Sequence, residues 1–562
     1  MSETLYEDLA ELCEEIESTT KRLVIVDLIA QFLRKISSEE IASSIRMIVG
    51  KTFPEWSAKT LDISWRTIQK IIKDISRASD EEMLRAFSEK GDLGDMARLL
   101  MLRKDLSKQT TLLPKALTIL EVYKGYQNIS EIKGSGSKKK KENILLSLLS
   151  RANPLETKYI IKNLIGEMRH GASSGLMEEA IAKATEAPLE MVKRAHMLIG
   201  DLGETAEKAF QEGPQTLKDV KPIPFHPIRP MLAQSVENIG EALREHGGET
   251  SLEYKLDGAR LQIHIREGEV RIFSRRLTEV TTSLPDIVQQ VSNNIRCKEA
   301  IIEGEVIAVT KDARPLPFQN LMRRFRRIKR IEKMVSEIPV KLYLFEIIYL
   351  DDKLLIDQPY SERRRMLSEI SGEIELVPQL LTGDLKRAQE FFDEAKKKGH
   401  EGLMVKKVES KYTPGRRGKK WLKIKETEAL DLVVVGADWG YGRRVNWLSD
   451  YYLAARNEES GELQIIGKTF KGLTDEEFED ITKKLETLKT FENGRTVKVK
   501  PEIVVETVFD EIQKSPKYDS GYALRFARIK RIRDDKEVED IDTIEKVRQL
   551  YENQFKTKAK LM

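Results

Sequence analysis

Cysteine is nearly absent from this chain, which has only Cys13 and Cys297 among 562 residues. Two widely separated cysteines exclude a disulfide-stapled scaffold and cannot build a four-cysteine zinc site. Aromatic residues are also few, at 7%. No apolar run approaches the ~18 residues that a membrane-spanning helix requires. The acidic stretch from Met1 to Glu17 lacks the basic and apolar segments of a signal peptide. We therefore expect an intracellular protein without disulfides that does not contact a membrane.

A large excess of one charge sign is missing as well. The 96 Lys and Arg residues nearly balance 92 Asp and Glu residues, so the formal net charge is only +4. This balance excludes a protein that is strongly basic over its whole surface, so any contact with nucleic acid has to come from local basic patches. Charged residues nevertheless make up 33% of the chain, above the ~25% of an ordinary soluble protein. Enrichment in Lys and Glu is typical of heat-adapted proteins.

The length and the apolar patterns predict three domains, because single cores stop growing near ~250–300 residues. Residues 1–220 show apolar spacings of three and four and predict an all-α domain. The segment from Lys221 to Pro230 contains four prolines and indicates a stiff connector. Residues 221–425 mix strand and helix patterns, which predicts an α+β domain. In residues 426–562, strand-like alternating stretches are separated by recurring glycines. This pattern predicts a small β-barrel with a C-terminal helical tail.

The most informative segment runs from Glu253 to Arg260 and reads EYKLDGAR. Lys255 could attack phosphorus only as a neutral amine, whereas free lysine, with a pKa near ~10.4, is an ammonium at neutral pH. Burial or nearby cations have to depress that pKa, and Arg260, five residues on, could supply one such cation. Asp257-Gly258 predicts a tight turn that presents Lys255 at a strand end. Taken alone, Lys-x-Asp-Gly is a weak signal that a surface hairpin with a solvated lysine would also show.

A series of short motifs follows this segment in a fixed order. They are Phe273–Arg276 (FSRR), Ile301–Val306 (IIEGEV), Leu342–Tyr349 (LYLFEIIY), Glu401–Lys406 (EGLMVK), Trp421–Lys425 (WLKIK), Arg525–Arg528 (RFAR) and Arg531–Lys536 (RIRDDK). Together with Lys-x-Asp-Gly, the series resembles the ordered motifs of the covalent nucleotidyltransferases. The details are most similar to those of the ATP-dependent DNA ligases of archaea and eukaryotes. The resemblance covers nearly the whole chain and implies that the C-terminal β-barrel is an OB-fold.

Two carboxylates in this series are candidate metal ligands. Glu305 and Glu401 each stand in a short apolar stretch that indicates a strand. Burying a lone carboxylate in such a strand costs free energy unless the carboxylate is paired or bound to a metal. A hard divalent ion is the natural partner, and we expect Mg²⁺, with Mn²⁺ as a substitute. The alternative is a pair of edge-strand carboxylates that face water.

The strand containing Trp421, Lys423 and Lys425 places all three side chains on one face, because side chains alternate along a strand. Two ammonium groups on one face repel each other unless an anion binds between them. The resemblance implies that this anion is the nucleotide phosphate, that ATP is the cofactor, and that Lys255 becomes linked to AMP. It further implies these nucleotide-binding positions: Glu253 at the adenine edge through its side chain or backbone, Phe345 stacked on the base, Arg260, Arg275, Glu305 and Arg417 around the nucleotide, and Lys423 near the α-phosphate. Without the resemblance, Phe345 is an ordinary core residue.

Local basic patches are candidate DNA contacts. Gly134–Lys141 (GSGSKKKK) predicts a flexible loop before a helix that begins near Glu142. Small residues let the backbone approach a phosphate, and Lys138, Lys139, Lys140 and Lys141 supply charge. The alternative is a solvated linker. Arg169–Ala172 resembles another turn of the ligase DNA-binding domain, so we assign Arg169 to DNA as well. A basic run from Arg323 to Arg330 is a further candidate, with a solvated helix face as the alternative.

Gln109–Leu113 (QTTLL) lies where archaeal ligases carry a glutamine-led segment that docks on the sliding clamp. Those segments often end in two aromatic residues, whereas this one ends in two leucines. The segment either docks with altered side chains or caps a helix.

These patterns predict an ATP-dependent DNA ligase that seals nicks in duplex DNA during replication, recombination and repair. We expect a monomer in the cytoplasm, or in the nucleus of a eukaryotic source. An RNA ligase remains an alternative. A capping-type nucleotidyltransferase would not need 220 helical residues, and an NAD⁺-dependent DNA ligase normally carries a four-cysteine zinc site. A non-catalytic DNA clamp or scaffold would not need Lys255, Glu305, Glu401 and Lys423 together.

Overall fold

A computed structural model of the chain describes residues 3–54, 56–57, 59–105, 116–325, 331–425, 428–441 and 444–557. Two sequence-based predictions fall outside these ranges. The clamp-docking segment Gln109–Leu113 is one, and the second half of the basic run, residues 326–330, is the other. Within the described ranges, no helix is long and apolar enough to cross a membrane.

The region before residue 220 is helical, and its described residues contain no strand beyond an isolated bridge at Leu5. Its helices are α1 Tyr6–Glu17, α2 Arg22–Lys35, α3 Ser38–Ile48, α4 Trp65–Ser76, α5 Asp80–Lys90, α6 Leu93–Asp105, α7 Ile119–Glu131, α8 Ser137–Arg151, α9 Pro154–Ile165, α10 Ser174–Thr185, α11 Leu189–Ile199 and α12 Leu202–Glu212. A short 3₁₀ turn, Pro214–Asp219, follows.

Side-chain caps set several of these helix starts. The Ser79 hydroxyl accepts the N–H of Glu82 at 3.2 Å, and the Glu82 carboxylate accepts the N–H of Ser79 at 2.7 Å. Asn153 and Glu156 make the same reciprocal pair at the start of α9. Such capping boxes satisfy backbone donors that the helix itself leaves without partners. The helices pack around one apolar core, which includes Leu9, Ile29, Ile45, Tyr126 and Ile160.

The proline-rich connector is fixed to the parts of the molecule on both sides of it. Gln262 accepts the N–H of Ile228 at 2.7 Å and donates to the Ile228 carbonyl at 3.0 Å. The His226 ring stacks on Trp56 of the helical region, with ring centroids 4.1 Å apart. These contacts tie the connector to both regions.

The central region alternates strands and helices. Its elements are β1 Leu232–Ser235, α13 Ile239–His246, β2 Thr250–Lys255, β3 Ala259–Arg266, β4 Glu269–Ser274, α14 Pro285–Asn294, β5 Glu299–Ala308, α15 Phe318–Phe325, α16 Ile331–Glu337, β6 Val340–Leu350, β7 Lys353–Leu354, α17 Tyr360–Ile370, β8 Gln379–Thr382, α18 Leu385–Lys397, β9 Gly402–Lys407 and β10 Arg417–Lys425.

The strands of the central region form two five-stranded sheets in the described residues. The first has the order β1-β10-β9-β2-β8, with β1 parallel to β10 and the other pairs antiparallel. The second is antiparallel in the order β4-β3-β5-β6-β7. Consecutive strands β2 and β3 belong to different sheets. The short link 256–258 therefore carries the chain from one sheet to the other.

The C-terminal region is built on the long strand β11. Its elements are β11 Glu428–Trp439, β12 Leu448–Arg456, β13 Leu463–Thr469, α19 Asp475–Thr487, β14 Lys489–Asn493, β15 Thr496–Val499, β16 Val504–Phe509, β17 Glu511–Lys514, β18 Tyr522–Arg525, β19 Arg528–Ile532 and α20 Ile544–Thr557. Along one edge β11 pairs with β12, and along the other it pairs first with β16 and then with β15. These strands and the two helices surround a main core, and a smaller apolar cluster contains Val433, Ala454, Val504 and Ile541. The predicted order of helical, α+β and β regions is confirmed.

Candidate active site in the central region

Lys255 is the last residue of β2 and lies where the chain leaves one sheet for the other. A Cβ atom added at Gly258 would lie 2.3 Å from the Val306 carbonyl oxygen of β5. Only glycine fits this close approach of the link to the second sheet. The segment is therefore not the surface hairpin of the alternative interpretation, since its two strands do not pair with each other. Lys255 lines the cleft between the sheets, with its side chain 21% exposed.

Strand register brings Glu401 to Lys255. Lys255 on β2 is paired with Gly402 on β9, and Gly402 is paired in turn with Lys425 on β10. The Glu401 N–H donates to the Lys255 carbonyl at 2.9 Å. Gly402 has φ +150, and a Cβ there would lie 2.2 Å from the Ile424 carbonyl oxygen, so the tight crossing again requires glycine. This backbone places the Glu401 carboxylate in an ion pair with the Lys255 ammonium.

The expected depression of the Lys255 pKa by Arg260 is wrong. Burial lowers the pKa of Lys255, but the carboxylates of Glu401, Glu305 and Asp257 outweigh it, and the net shift is upward. The Arg260 guanidinium is occupied elsewhere, because it pairs with Glu303 at 2.7 Å and donates to the Met231 carbonyl at 2.7 Å. Arg260 is not among the groups that shift the pKa of Lys255 most.

Glu305 lies opposite Arg260 in the pairing of β3 with β5. Desolvation raises the pKa of Glu305 to about 8. The charges of Lys255 and Arg260 oppose this shift, while Glu401 and Asp257 add to it. A carboxyl group with a raised pKa lacks sufficient positive charge around its ionised form. A cation bound beside Glu305 would therefore stabilise its ionised form.

Glu305 and Glu401 suit a divalent metal ion whose remaining ligands come from the substrate and water. The described part of the chain contains no group of three or more His, Cys, Asp or Glu side chains arranged to hold a metal by themselves. Glu305 and Glu401 interact with each other and with Lys255. Mg²⁺ usually keeps several waters and takes only one or two carboxylates together with substrate phosphates. The two carboxylates fit that pattern.

Several cations converge on Lys423. Burial lowers the pKa of Lys423, and the charges of Lys255, Lys425, Arg417 and Arg275 lower it further. Lys423 and Lys425 are paired with Met404 and Gly402 of β9 and Trp421 with Lys406, so all three β10 side chains point to one face, as predicted. Like charges gathered in this way favour an anion among them.

Lys425 has a second relationship, since its ammonium lies 2.5 Å from the carboxylate of Asp510 in the C-terminal region. Two more contacts join the same regions. Gln319 donates to Glu511 at 2.8 Å, and the Arg525 guanidinium lies 4.6 Å from the centroid of the Phe318 ring. The C-terminal region therefore contacts the strand that carries the convergent cations.

The apolar part of the cleft contains Phe345 and Trp421, whose rings meet edge to face with centroids 6.3 Å apart. The Arg260 guanidinium lies 5.3 Å from the Phe345 centroid and 5.5 Å from that of Trp421. Phe345 is 8% exposed and belongs to the core of this region, so its position fits both interpretations of the sequence. Glu253 is buried, and its carboxylate is already bound by Tyr360 and Lys406.

Sequence reasoning missed several residues of this site. Lys406 ends the motif EGLMVK, and a lysine in the apolar strand β9 was an available signal. Tyr412 is fully buried, and its hydroxyl donates to Glu303 at 2.9 Å and accepts the Met231 N–H at 2.9 Å. Tyr360 lies at the start of α17. Nothing in the sequence near Tyr360 or Tyr412 marks either as a partner of a distant carboxylate.

Comparison with known proteins identifies the family. Three family models match successive stretches of the chain: "DNA ligase N terminus" at residues 5–182, "ATP dependent DNA ligase domain" at 230–425 and "ATP dependent DNA ligase C terminal region" at 444–536. The chain belongs to the ATP-dependent DNA ligase family. The resemblance drawn from the sequence motifs, and with it the prediction of a ligase, is confirmed.

Individual relatives of this ligase match over its whole length. "DNA ligase 1" of Korarchaeum cryptofilum is 46% identical over 98% of this chain and 99% of its own. "DNA ligase" of Thermococcus onnurineus is 42% identical over 100% of both chains. A solved structure named "Pmar-Lig_PreS3" covers 93% of this chain and 99% of its own, with a TM-score of 0.57 at 17% identity, and supports the fold.

The lysine-rich segment of the ligase differs from its prediction. Helix α8 begins at Ser137 instead of near Glu142, so all four lysines lie in its first turns. Lys138, Lys139 and Lys140 are exposed. Lys141 is buried, and its ammonium donates to the Leu61 carbonyl at 2.8 Å. The assignment of Lys141 to DNA is wrong, because its charge anchors α8 to a neighbouring segment.

The other basic candidates also have partners within the protein. Arg169 has φ +57, and its half-exposed guanidinium pairs with Glu167 at 2.6 Å and donates to the Gly91 carbonyl at 3.1 Å. Arg324 is buried, where it pairs with Asp286 and donates to two carbonyl groups. Arg324 therefore cannot face a polyanion. The prediction that the basic run starting at Arg323 contacts DNA is therefore wrong for Arg324, which packs inside the protein.

Proposed function

We propose that this ligase seals nicks in duplex DNA through a covalent lysyl-AMP intermediate on Lys255, and that it serves DNA replication, recombination and repair in the cytoplasm as a monomer. The observation that carries the proposal is the convergence of groups at one junction between two sheets. Lys255, the carboxylates Glu305 and Glu401, and the cation cluster around Lys423 meet there. Phosphoryl transfer requires these three kinds of group together.

The first step attaches the nucleotide. Lys255 Nζ attacks the α-phosphorus of ATP, a nitrogen–phosphorus bond forms, and pyrophosphate leaves. The amine has to lose its proton first, and the contact between Nζ and the Glu401 carboxylate, which favours the protonated form, has to be broken for this to happen. Lys423, Arg275 and Arg417 neutralise the charge that develops on the phosphate oxygens. Arginine suits this task because its planar fork donates two hydrogen bonds at once.

The base is proposed to lie on the apolar side of the cleft, with Phe345 stacked on adenine and Glu253 at its edge. Arg260 borders this site while it is held by Glu303 and the Met231 carbonyl. Glu305 and Glu401 would hold Mg²⁺, or Mn²⁺ in its place. When bound, that ion supplies positive charge to the phosphates and to the two carboxylates.

The later steps act on DNA. The adenylate passes from Lys255 to the 5′-phosphate of the nick, and the 3′-hydroxyl then displaces AMP to form the phosphodiester bond. We assign part of the grip on DNA to Lys138, Lys139 and Lys140. In the first turn of α8, their positive charges are repelled by the positive end of the helix dipole. A phosphate bound there would reduce this repulsion. Docking of the sliding clamp through Gln109–Leu113 stays a sequence-based proposal.

A gel assay of nick sealing tests this function. Wild-type protein is incubated with a nicked duplex, Mg²⁺ and each of ATP, GTP, CTP and NAD⁺ in turn, and α-labelled nucleotide reports the covalent intermediate. We expect sealing and protein labelling with ATP. Lys255→Arg should form no labelled protein, because arginine stays protonated, yet should still seal a nick that is already adenylated. Lys386→Arg, an exposed lysine on α18, is the matched control. Wild-type labelling of the Lys255→Arg protein would refute the assignment.

A further inference from the structure

A buried ammonium ion joins the two residues that we assign to the base. Lys406 on β9 is 1% exposed. Its Nζ atom lies 2.7 Å from Glu253 Oε2 and donates to the Phe345 carbonyl at 3.1 Å. The same atom lies 4.9 Å from the Phe345 ring centroid and 4.6 Å from that of Trp421. A buried charge is tolerated only when it is paired and hydrogen-bonded. Lys406 therefore depends on Glu253, and it fixes that carboxylate relative to the Phe345 ring.

The second carboxylate oxygen of Glu253 is held from the opposite side. The hydroxyl of Tyr360, a residue 1% exposed, donates to Oε1. Gln379 donates to the Tyr360 oxygen at 3.3 Å and to Ser251 Oγ at 2.8 Å. The Arg364 guanidinium lies 3.6 Å from the same Oε1 atom. Each oxygen of Glu253 thus has its own fixed partner.

This network fixes the orientation of the Glu253 carboxylate. Lys406 and Arg364 supply positive charge, and Tyr360 supplies a directional donor. An ionised carboxylate can only accept hydrogen bonds, and its two oxygens have about four lone-pair sites. Two of these are taken by Lys406 and Tyr360, and the rest can accept only from a donor. An exocyclic amino group is such a donor, whereas a keto oxygen at the same position would meet like charge.

We propose that Lys406 and Tyr360 are positioning residues that set the base selectivity of the adenylation step. They hold the Glu253 carboxylate beside the Phe345 ring so that a purine with a 6-amino group is accepted and a 6-keto purine is refused. The proposal rests on the proposed function, in which Glu253 and Phe345 line the base site. It assigns the selectivity to residues that do not themselves touch the nucleotide.

The test compares ATP with inosine triphosphate (ITP), in which a keto oxygen replaces the 6-amino group and N1 carries a proton. The rate of protein labelling gives kcat/KM for each nucleotide. Tyr360→Phe removes only the hydroxyl, and we expect the ATP-to-ITP ratio to fall by about tenfold, the value of one hydrogen bond to a charged group. The loss should appear in KM for ATP, while labelling by ITP stays at the wild-type level. A role in folding alone would lower both nucleotides equally.

Tyr349→Phe is the matched control. Tyr349 on β6 is 3% exposed, and its hydroxyl donates to Glu299 instead of Glu253, at 3.1 Å. This variant should keep the wild-type ratio. Lys406→Met should lower the ratio as Tyr360→Phe does, but it leaves the Glu253 charge buried without its main partner. If that protein does not fold, the double variant Lys406→Met/Glu253→Gln removes both charges, and its ratio should equal that of Glu253→Gln alone, because Lys406 acts only through Glu253. A further fall in the ratio would overturn the positioning role of Lys406.

The failures can be told apart. If Glu253→Gln lowers the ratio but Tyr360→Phe and Lys406→Met do not, the positioning proposal is overturned while the base site stands. If Glu253→Gln leaves the ratio at the wild-type value, the assignment of Glu253 to the base edge falls, and the positioning proposal falls with it. Absence of labelling with any nucleotide in the wild-type protein would overturn the proposed function itself.

Discussion

Lys255 and Glu401 form an ion pair at the point where the chain crosses between the two central sheets. Burial by itself lowers the pKa of Lys255, but Glu401, with help from Glu305 and Asp257, raises it overall. The carboxylate that orients the proposed nucleophile therefore also keeps it protonated. Nucleotidyl transfer requires this hold to be released.

We predict that Glu401→Gln makes Lys255 more reactive toward an acylating reagent in the absence of nucleotide and metal. Removing the carboxylate lowers the pKa of Lys255, so a larger fraction is neutral amine at a mildly alkaline pH. One unit of pKa corresponds to about a tenfold change in that fraction. Brief acetylation followed by peptide mass spectrometry measures the modification at Lys255, with the exposed Lys386 as an internal reference. Unchanged or reduced modification of Lys255 would show that Glu401 does not control its protonation.

A second prediction concerns the metal. Glu305→Ala should reduce labelling of the protein by ATP, with partial rescue at high Mg²⁺ or Mn²⁺. Loss of even an outer-shell partner commonly weakens metal binding by about 10- to 100-fold, and a direct ligand should cost at least as much. A titration of labelling yield against Mg²⁺ measures the shift. Glu299→Ala, at the other end of β5, should titrate like the wild type. Normal labelling of Glu305→Ala at low Mg²⁺ would remove Glu305 from the metal site.

The sequence indicates candidate site residues where chemistry is concentrated in short motifs. Lys255, Glu305, Glu401 and Lys423 each stand in a recognisable strand pattern, and the structure brings their side chains close enough to shift one another's pKa, while their roles stay predictions. Pairing across strands could not be predicted. The partner of Arg260 is Glu303, 43 residues away. That pair holds the guanidinium that was expected to act on Lys255.

The lysine-rich segment shows a second limit of the sequence. The predicted helix start near Glu142 is too late, because Gly134 and Gly136 favour a loop while Ser137 already begins α8. Residues on a helix point about 100° apart, so four consecutive lysines cannot all face one side. Lys141 falls on the buried side. Helix starts are among the least certain features of a sequence, and one such shift reversed the role of a residue.

The same segment gives a third prediction with an internal control. Lys139→Ala/Lys140→Ala should weaken binding to nicked DNA of any sequence, and should reduce the log–log salt slope by up to about 0.9 for each phosphate that the protein no longer neutralises. Labelling by ATP should not change. Lys141→Ala should keep the salt slope and lower the stability of the helical region, because Lys141 donates to the Leu61 carbonyl. Filter binding across a range of salt concentrations, together with thermal unfolding, separates the two. An equal fall in salt slope for both variants would contradict the structural role of Lys141.

The connector gives a fourth prediction, which depends on pH. Phe225 N–H donates to His264 Nδ1 at 2.9 Å, and His264 Nε2 lies 2.9 Å from Gln262 Oε1. Since Gln262 Oε1 also accepts the Ile228 N–H, His264 Nε2 must be the donor and the ring is neutral. Burial, with a smaller effect from His226, lowers the pKa of His264 from 6.5 to about 3. A proton on Nδ1 would face the Phe225 N–H and break this attachment of the connector.

Because the folded-state pKa of His264 is depressed, its neutral form stabilises the protein fully above pH 6.5, and this stability is lost as the pH falls toward 3. The loss has a slope of at most about 1.4 kcal/mol per pH unit for one proton. His264→Asn should remove that slope, since the Asn oxygen can replace Nδ1 as acceptor for Phe225 and does not titrate. Hydrogen exchange of β3 and of the connector, followed from neutral pH down to about one unit above the pKa of His264, measures the local opening free energy in both proteins. The variant should be less stable at neutral pH, where a smaller side chain leaves space in the core, but should lose less stability on acidification. Parallel acid profiles would mean that another group controls the connector.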